Sequence, residues 1–373
     1  MSSLFNAPVS QVYSWEPSNT WIAARHGVDP ASILRFDLNT STTTPAHLAE
    51  VLARTSWDPP IHESPDSLYG ELAEAAAGYV GADRYEILVG AGMDDVLDIV
   101  AKTFLPPGGR AIVPIPTYSM YGVLTSQRNA TIDAVPRRPA AEGFALDVDA
   151  IVDRLPGADV VWLCTPNNPT ASAESPAAIR RILDAAAALG ARGPLVVVDE
   201  AYHEFTGDTF VGERAAYPNL VVTRTMSKAF ALAGARVGYA IACRPTIERL
   251  ERNRPPGSVT TISAALAAHA LREPAYALET AASIPAERDR FGAALTAAGW
   301  ATYPSVTNFI LARIGTPEVA EAATLALLRK GIVARTFGPA HPLRGHLRFT
   351  VRSRADNERL VAAATAFTEE AGR

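Results

Sequence analysis

The chain has 373 residues, 48% of them apolar, a formal net charge of −5 and two cysteines, Cys164 and Cys243. That length exceeds what one hydrophobic core usually serves, so two domains are expected. The mild acidity gives no electrostatic case for a nucleic-acid or anionic-membrane partner, and two distant cysteines without ligand spacing argue against a disulfide scaffold or metal centre.

The N-terminal stretch has no basic region followed by an apolar run, and no apolar segment approaches the ~20 residues that span a bilayer. A cytoplasmic protein is expected. From Tyr69 onward, helical patterns alternate with short apolar runs, as in an α/β sheet. YGELAEAAAGYVG reads as a helix closed by Gly81. EILVG is a strand that turns through Gly90 and Gly92 into MDDVLDIVAKTFL, whose apolar residues recur at three and four. RAIVPIP is a strand stopped by its prolines. DVVWLC and PLVVVDE are nearly unbroken apolar runs, as expected for parallel strands covered on both faces. Between them lies a helix with Ser175 as N-cap, Pro176 at its first position and Gly190 at its end. NLVVTR and ARVGYAIA add two further strands. After the linker RNRPPG come a helix-rich stretch, the strand NFILARI, a helix introduced by Thr316 and Pro317 and closed by Gly331, then IVART and HLRFTVR. The last alternates Leu347, Phe349 and Val351 with His346, Arg348, Thr350 and Arg352, which predicts a small half-exposed sheet. The expected division is residues 1–45 as an arm and part of the small domain, 46–255 as a large doubly wound domain, and 256–373 as a smaller α+β domain.

Ligands of open α/β sheets bind beyond the carboxyl ends of the strands. Four segments with reactive character fall there: Gly92, Met93 and Asp94 after EILV; TPNNPT after DVVWLC; Asp199 through Tyr202 after LVVV; and TMSKAFALAGAR after NLVVTR. Each has a bland counterpart as a turn, a cap or a solvated side chain. The glycine turn resembles part of a dinucleotide fingerprint, but Asp95 takes the third glycine's place and no acidic residue closes the next strand. Lysine is scarce: Lys102, Lys228 and Lys330 stand against 31 arginines. Arginine replaces lysine as a charge but not as an amine nucleophile, so few candidates for amine chemistry remain.

TMSKAFALAGAR resembles the lysine signature of class II pyridoxal 5′-phosphate (PLP) aminotransferases. With LVGAGMDD, PIPTYSMY, CTPNNPT, VVDEAY, TNFILARI, GIVART and HLRFTVR, residues 20–370 resemble the histidinol-phosphate aminotransferase family. The resemblance implies an α/β chain of the fold type I PLP-dependent transferases, and a homodimer with its active site at the subunit interface. It implies that Lys228 carries PLP as a Schiff base and moves the proton in catalysis. Asp199 would hold the pyridine nitrogen, Asn168 and Tyr202 the phenolic oxygen, and Tyr118 would stack on the ring. The backbone of Gly92, Met93 and Asp94, with Ser227 and Arg236, would bind the phosphate. Arg348 and Arg335 would grip a carboxylate or phosphate of the substrate, with Asn39 and Tyr13 nearby, the latter across the dimer interface.

The implied reaction is amino transfer between histidinol phosphate and a 2-oxo acid, 2-oxoglutarate, in histidine biosynthesis. Three motifs depart from the family: only Asn39 remains of Asn-Glu-Asn-Pro, Ser64-Pro65-Asp66 stands for Tyr-Pro-Asp, and Ala171 ends Asn-Pro-Thr-Gly. An aromatic or general amino-acid aminotransferase, a threonine-phosphate decarboxylase and a non-catalytic PLP-binding regulator are the alternatives. The seven histidines show no ligand spacing, so no metal is expected.

Overall fold

The structure, a computed structural model, describes residues 16–43, 45–54 and 56–371. Its strands in chain order are β1 (Leu34–Arg35), β2 (Ile87–Gly90), β3 (Arg110–Ile115), β4 (Thr131–Pro136), β5 (Val160–Cys164), β6 (Leu195–Asp199), β7 (Leu220–Thr225), β8 (Gly238–Ala242), β9 (Ala301–Thr302), β10 (Phe309–Arg313), β11 (Ile332–Val333) and β12 (His346–Thr350). Seven of them form one sheet in the order β2-β8-β7-β6-β5-β3-β4, parallel except for β8, which runs against both neighbours.

Alternation along a central strand explains the three layers. In β6, Val196 and Val198 enter one core with the helices Gly70–Val80, Pro176–Ala188 and Thr261–Arg272. Leu195 and Val197 enter a second core with Met93–Phe104, Met120–Gln127 and Arg244–Glu251. Both faces of the strand are covered, so its sequence reads as continuously apolar. Each fully buried aliphatic side chain contributes about 1.5–3 kcal/mol through burial. β4 went unpredicted because it is an edge strand: only Val135 of its six residues is buried.

A small sheet, β12-β10-β9, and the parallel pair β1–β11 surround a third core containing Phe36, Phe291, Trp300 and Phe349. The N-terminal segment thus joins the C-terminal unit through β1. The large core extends past the sequence break at 252–257. Leu266, Ala267, Ala270 and Leu271 pack with Leu72, Ala73 and Ala76 of the helix Gly70–Val80. The next helix, Ala275–Ala297, runs from one core to the other, with Ala277 and Ala281 in the large core and Phe291 and Leu295 in the small one. Pro285 lies between those two sets.

Behind the sheet edge, Arg137 and Glu174 form an ion pair whose side chains are 1% and 2% exposed. Glu174 also accepts from the Leu146 N–H at 3.0 Å. Glu174→Ala strands a buried guanidinium, and the expected loss is about 3–5 kcal/mol of unfolding free energy in urea titration. A loss under ~1 kcal/mol contradicts this account.

Candidate active site

The pairing register brings the reactive segments together. Cys164 at the end of β5 pairs with Asp199 at the end of β6, and Asp199 pairs with Thr223 in β7. The chain leaves β7 at Thr225 and turns at once through Ser227 and Lys228. A cavity of about 310 Å³ lies over these strand ends, lined by Met93, Asp94, Tyr118, Asn168, Asp199, Tyr202, Ser227, Lys228 and Arg236 among others. All but one of the residues expected to bind the cofactor therefore line one space; the exception, Gly92, lies directly behind Arg236.

Lys228 Nζ donates to the Leu38 carbonyl at 3.3 Å and lies 5.7 Å from the centre of the Tyr202 ring. Burial, assisted by the charges of Arg348 and Arg236, lowers its pKa to about 8. A useful fraction of free amine is then present near neutral pH. Asp199 is buried, and its carboxylate accepts from the Tyr121 hydroxyl at 2.6 Å and the Ala201 N–H at 2.9 Å. Desolvation outweighs those bonds and raises its pKa to about 6. Tyr121 is held by stacking on Trp162, ring centres 5.4 Å apart.

The helix Met93–Phe104 points its N-terminus at the cavity. Its N-cap is Gly92 at φ +91°, with no side-chain cap, so the first-turn N–H groups lack intrahelical acceptors. A side chain at Gly92 would meet the Arg236 guanidinium at 2.5 Å, and one at Gly238 would meet the Met93 nitrogen at 2.7 Å. Gly238 is therefore required by close backbone approach, and Gly92 by its positive φ. Asp95 folds back to accept from the Ala91 N–H at 2.7 Å, which braces this turn. The Asp94 side chain accepts from the Tyr118 hydroxyl at 2.8 Å and lies 3.5 Å from Arg236.

A larger cavity of about 760 Å³ opens beside the first, walled in part by Asn39, Tyr202, Lys228, Arg335 and Arg348. Tyr202 accepts from Asn39 Nδ2 at 3.0 Å, which leaves its own hydroxyl proton for a ligand. Asn39 also joins the small unit, since its N–H donates to Thr350 Oγ1 at 2.9 Å and its carbonyl accepts from Asn308 at 3.1 Å. Arg348 donates to Asn168 Oδ1 and to the Asp37 carbonyl, both at 2.5 Å. It is 6% exposed, and burial lowers its pKa to about 10. This corrects the expected half-exposed sheet: on the polar face of β12, Arg348 and Thr350 are buried, and Arg348 lines the cleft. Arg335 reaches Glu16. Tyr13 lies outside the described residues.

Of the motif departures, Ala171 adopts φ +63° while fully buried, a conformation glycine accepts without strain. Ala171→Gly is expected to raise stability by up to about 1 kcal/mol, read as a higher denaturation midpoint; a decrease contradicts the strain. Asp66, in the second departure, accepts from the Leu68 and Gly70 N–H groups at the start of the helix Gly70–Val80. The sequence reading missed Tyr121, Asp37, the Leu38 carbonyl and Glu16. Only Tyr121 left a signal, as a second tyrosine three residues after Tyr118, at the start of the helix Met120–Gln127.

An amine of lowered basicity, a buried carboxylate and an uncapped helix N-terminus flanked by a hydroxyl and a guanidinium fit the amine-reactive carbon, ring nitrogen and phosphate of PLP. Among the described residues no cluster of His, Cys, Asp or Glu side chains is placed to hold a metal ion. Fold and site define a PLP-dependent transferase of fold type I. The profile of aminotransferase class I and II matches residues 33–364. A histidinol-phosphate aminotransferase of Dehalococcoides mccartyi is 35% identical over 81% of this chain and 82% of its own length. One of Xanthomonas euvesicatoria is 38% identical over 80% and 83%. The crystal structure of the Sinorhizobium meliloti enzyme of that name, in complex with PLP, superposes with a TM-score of 0.86 at 26% identity, covering 99% of this chain and 98% of its own. The chain belongs to the class I and II aminotransferases and, within them, to the histidinol-phosphate aminotransferase family.

Proposed function

We propose that the protein transfers an amino group between histidinol phosphate and 2-oxoglutarate. The observation that carries this reading is the placement of two guanidiniums, Arg335 and Arg348, on the wall of the cavity that also holds the Lys228 amine. That arrangement suits an amino donor with an anion at one end, as phosphate and carboxylate are gripped well by arginine forks. The names of the relatives favour the phosphate ester.

Bound PLP supplies an electron sink for the bond broken at the donor's Cα. Lys228 would hold the cofactor, and its Nζ, once free, would take the proton from the donor's Cα. Asp199 would hold the proton of the ring nitrogen. The Tyr202 hydroxyl and the Asn168 amide would serve the phenolic oxygen, and Tyr118 would pack against the ring. The N–H groups of Met93 and Asp94, with Ser227 and Arg236, would hold the phosphate. Arg348 receives a carboxylate and Arg335 the donor's phosphate.

A homodimer with a shared active site is part of the proposal. It rests on the family and on the exposed Leu52, Ile61 and Leu68. No helix among the described residues is long and apolar enough to cross a membrane, and we place the reaction in the cytoplasm. The test is a panel of single half-reactions on the PLP form. Histidinol phosphate and glutamate should each convert it to the pyridoxamine form. No response to histidinol phosphate with a fast one to phenylalanine overturns the substrate, and carbon dioxide released from threonine phosphate identifies a decarboxylase.

A further inference from the structure

Arg335 and Arg348 face each other across a two-residue bridge: each N–H donates to the other's carbonyl, at 3.1 and 3.0 Å. Like charges directly opposite one another are unfavourable, and here one of them is also buried. Glu16 answers that charge. Its Oε1 lies 2.5 Å from Arg335 Nη1, with both side chains about three-quarters buried, and its field also reaches Arg348. The segment that delivers it is anchored. Arg35, bidentate on Asp37 at 2.8 and 2.7 Å, donates to the Pro17 carbonyl at 3.0 Å and to Asn19 Oδ1 at 3.2 Å. The helix Asn19–His26 that follows seats the fully buried Ile22 in a cluster with Val333 of β11, two residues before Arg335. Glu16 therefore occupies, inside the substrate cavity, the guanidinium assigned above to the donor's anion.

We propose that Glu16 is a carboxylate latch on Arg335, which the anionic end of the amino donor must displace, and that this exchange favours phosphorylated donors over neutral ones. The proposal rests on the substrate reading above. A phosphate monoester carries nearly two charges at neutral pH and competes well with a carboxylate for one guanidinium. A neutral side chain has nothing to offer Arg335 and leaves the latch closed over part of the cavity. The displaced carboxylate recovers its hydration in solvent.

The test compares wild-type and Glu16→Gln holoenzymes with histidinol phosphate, with phenylalanine as a donor of neutral side chain whose one anion, the carboxylate, is assigned to Arg348, and with inorganic phosphate as an inhibitor of the glutamate half-reaction. Losing the competitor should lower KM for histidinol phosphate and the inhibition constant of inorganic phosphate, each by roughly 5–20-fold, as expected for one partly buried ion pair. The change should appear in KM more than in kcat, and KM for phenylalanine should move by less than about twofold, since that donor makes no use of Arg335. In an Arg335→Ala background the effect of Glu16→Gln should vanish. A KM for histidinol phosphate and a phosphate inhibition constant that rise or stay put overturn the latch. A rise confined to histidinol phosphate means that Glu16 binds the donor's imidazole instead. A damaged fold weakens binding and so has the opposite sign to the expected result. If the wild-type enzyme does not turn over histidinol phosphate, the substrate reading fails, while the inorganic phosphate constant still decides the latch.

Discussion

Lys228→Ala is expected to reduce transamination by about 10²–10⁴-fold through loss of the proton-transferring amine alone, and further through loss of covalent cofactor retention. The variant should still fold, because Lys228 contributes one 3.3 Å bond to the Leu38 carbonyl and no ion pair among those of the described residues. The measurement is paired: turnover by coupled assay, and borohydride reduction followed by peptide mapping. Reduction should fix the cofactor to the Lys228 peptide of the wild-type chain and to nothing in the variant. Label found on Lys102 or Lys330 would remove Lys228 from the centre of the site. The surroundings weigh against that outcome, since Lys102 is already paired with Asp98 at 2.5 Å one helical turn away.

Asp199→Asn should separate function from stability. With cofactor bound, the carboxylate is matched to a protonated ring nitrogen, and removing one partner of a buried charge pair costs about 2–5 kcal/mol, or roughly 30- to 5,000-fold in turnover. Without cofactor the sign reverses. Burial raises the Asp199 pKa from 3.8 to about 6, so the folded chain holds this proton more tightly than the unfolded chain. Between those two values the unfolded state sheds the proton first, and the cofactor-free protein loses stability as pH rises. Above about pH 6 the deficit is complete and on the order of 3 kcal/mol. The cofactor-free Asn variant should therefore melt above cofactor-free wild type at pH 8, with the difference shrinking toward pH 4. Equal melting at both pH values would mean that Asp199 is not strained by burial.

Local pattern made the large sheet legible. β5, β6 and β7 are apolar on both faces, and the residues that end them carry the chemistry, so the strand pattern and the site motifs point to the same places. β4 escaped because an edge strand buries little and leaves no such pattern. The residues at 261–272 were read into the smaller unit because RNRPPG looks like a boundary. Composition marks where a chain bends, while the burial of Leu266 and Leu271 decides which core it joins.

The cofactor side of the site was readable because each of its residues lies in a motif at a strand end. On the substrate side the family resemblance points to Arg335, Arg348 and Asn39, and pattern alone does not: alternation reports which residues share a face and says nothing of what that face meets, so Arg348 reads equally well as solvent-facing. Asp37 and Glu16 meet their arginines across 311 and 319 residues of sequence, contacts that no local pattern encodes.

The helix joining the two cores has a mechanical consequence. Proline has no N–H to donate, so Pro285 leaves the Ala281 carbonyl without its helical partner and lowers the bending stiffness of the helix at that point. Lys228 rides on one side of this fulcrum and the two arginines on the other. A change in the spacing between Lys228 and the two arginines is therefore taken up most cheaply at Pro285, where the connecting helix has one hydrogen bond fewer.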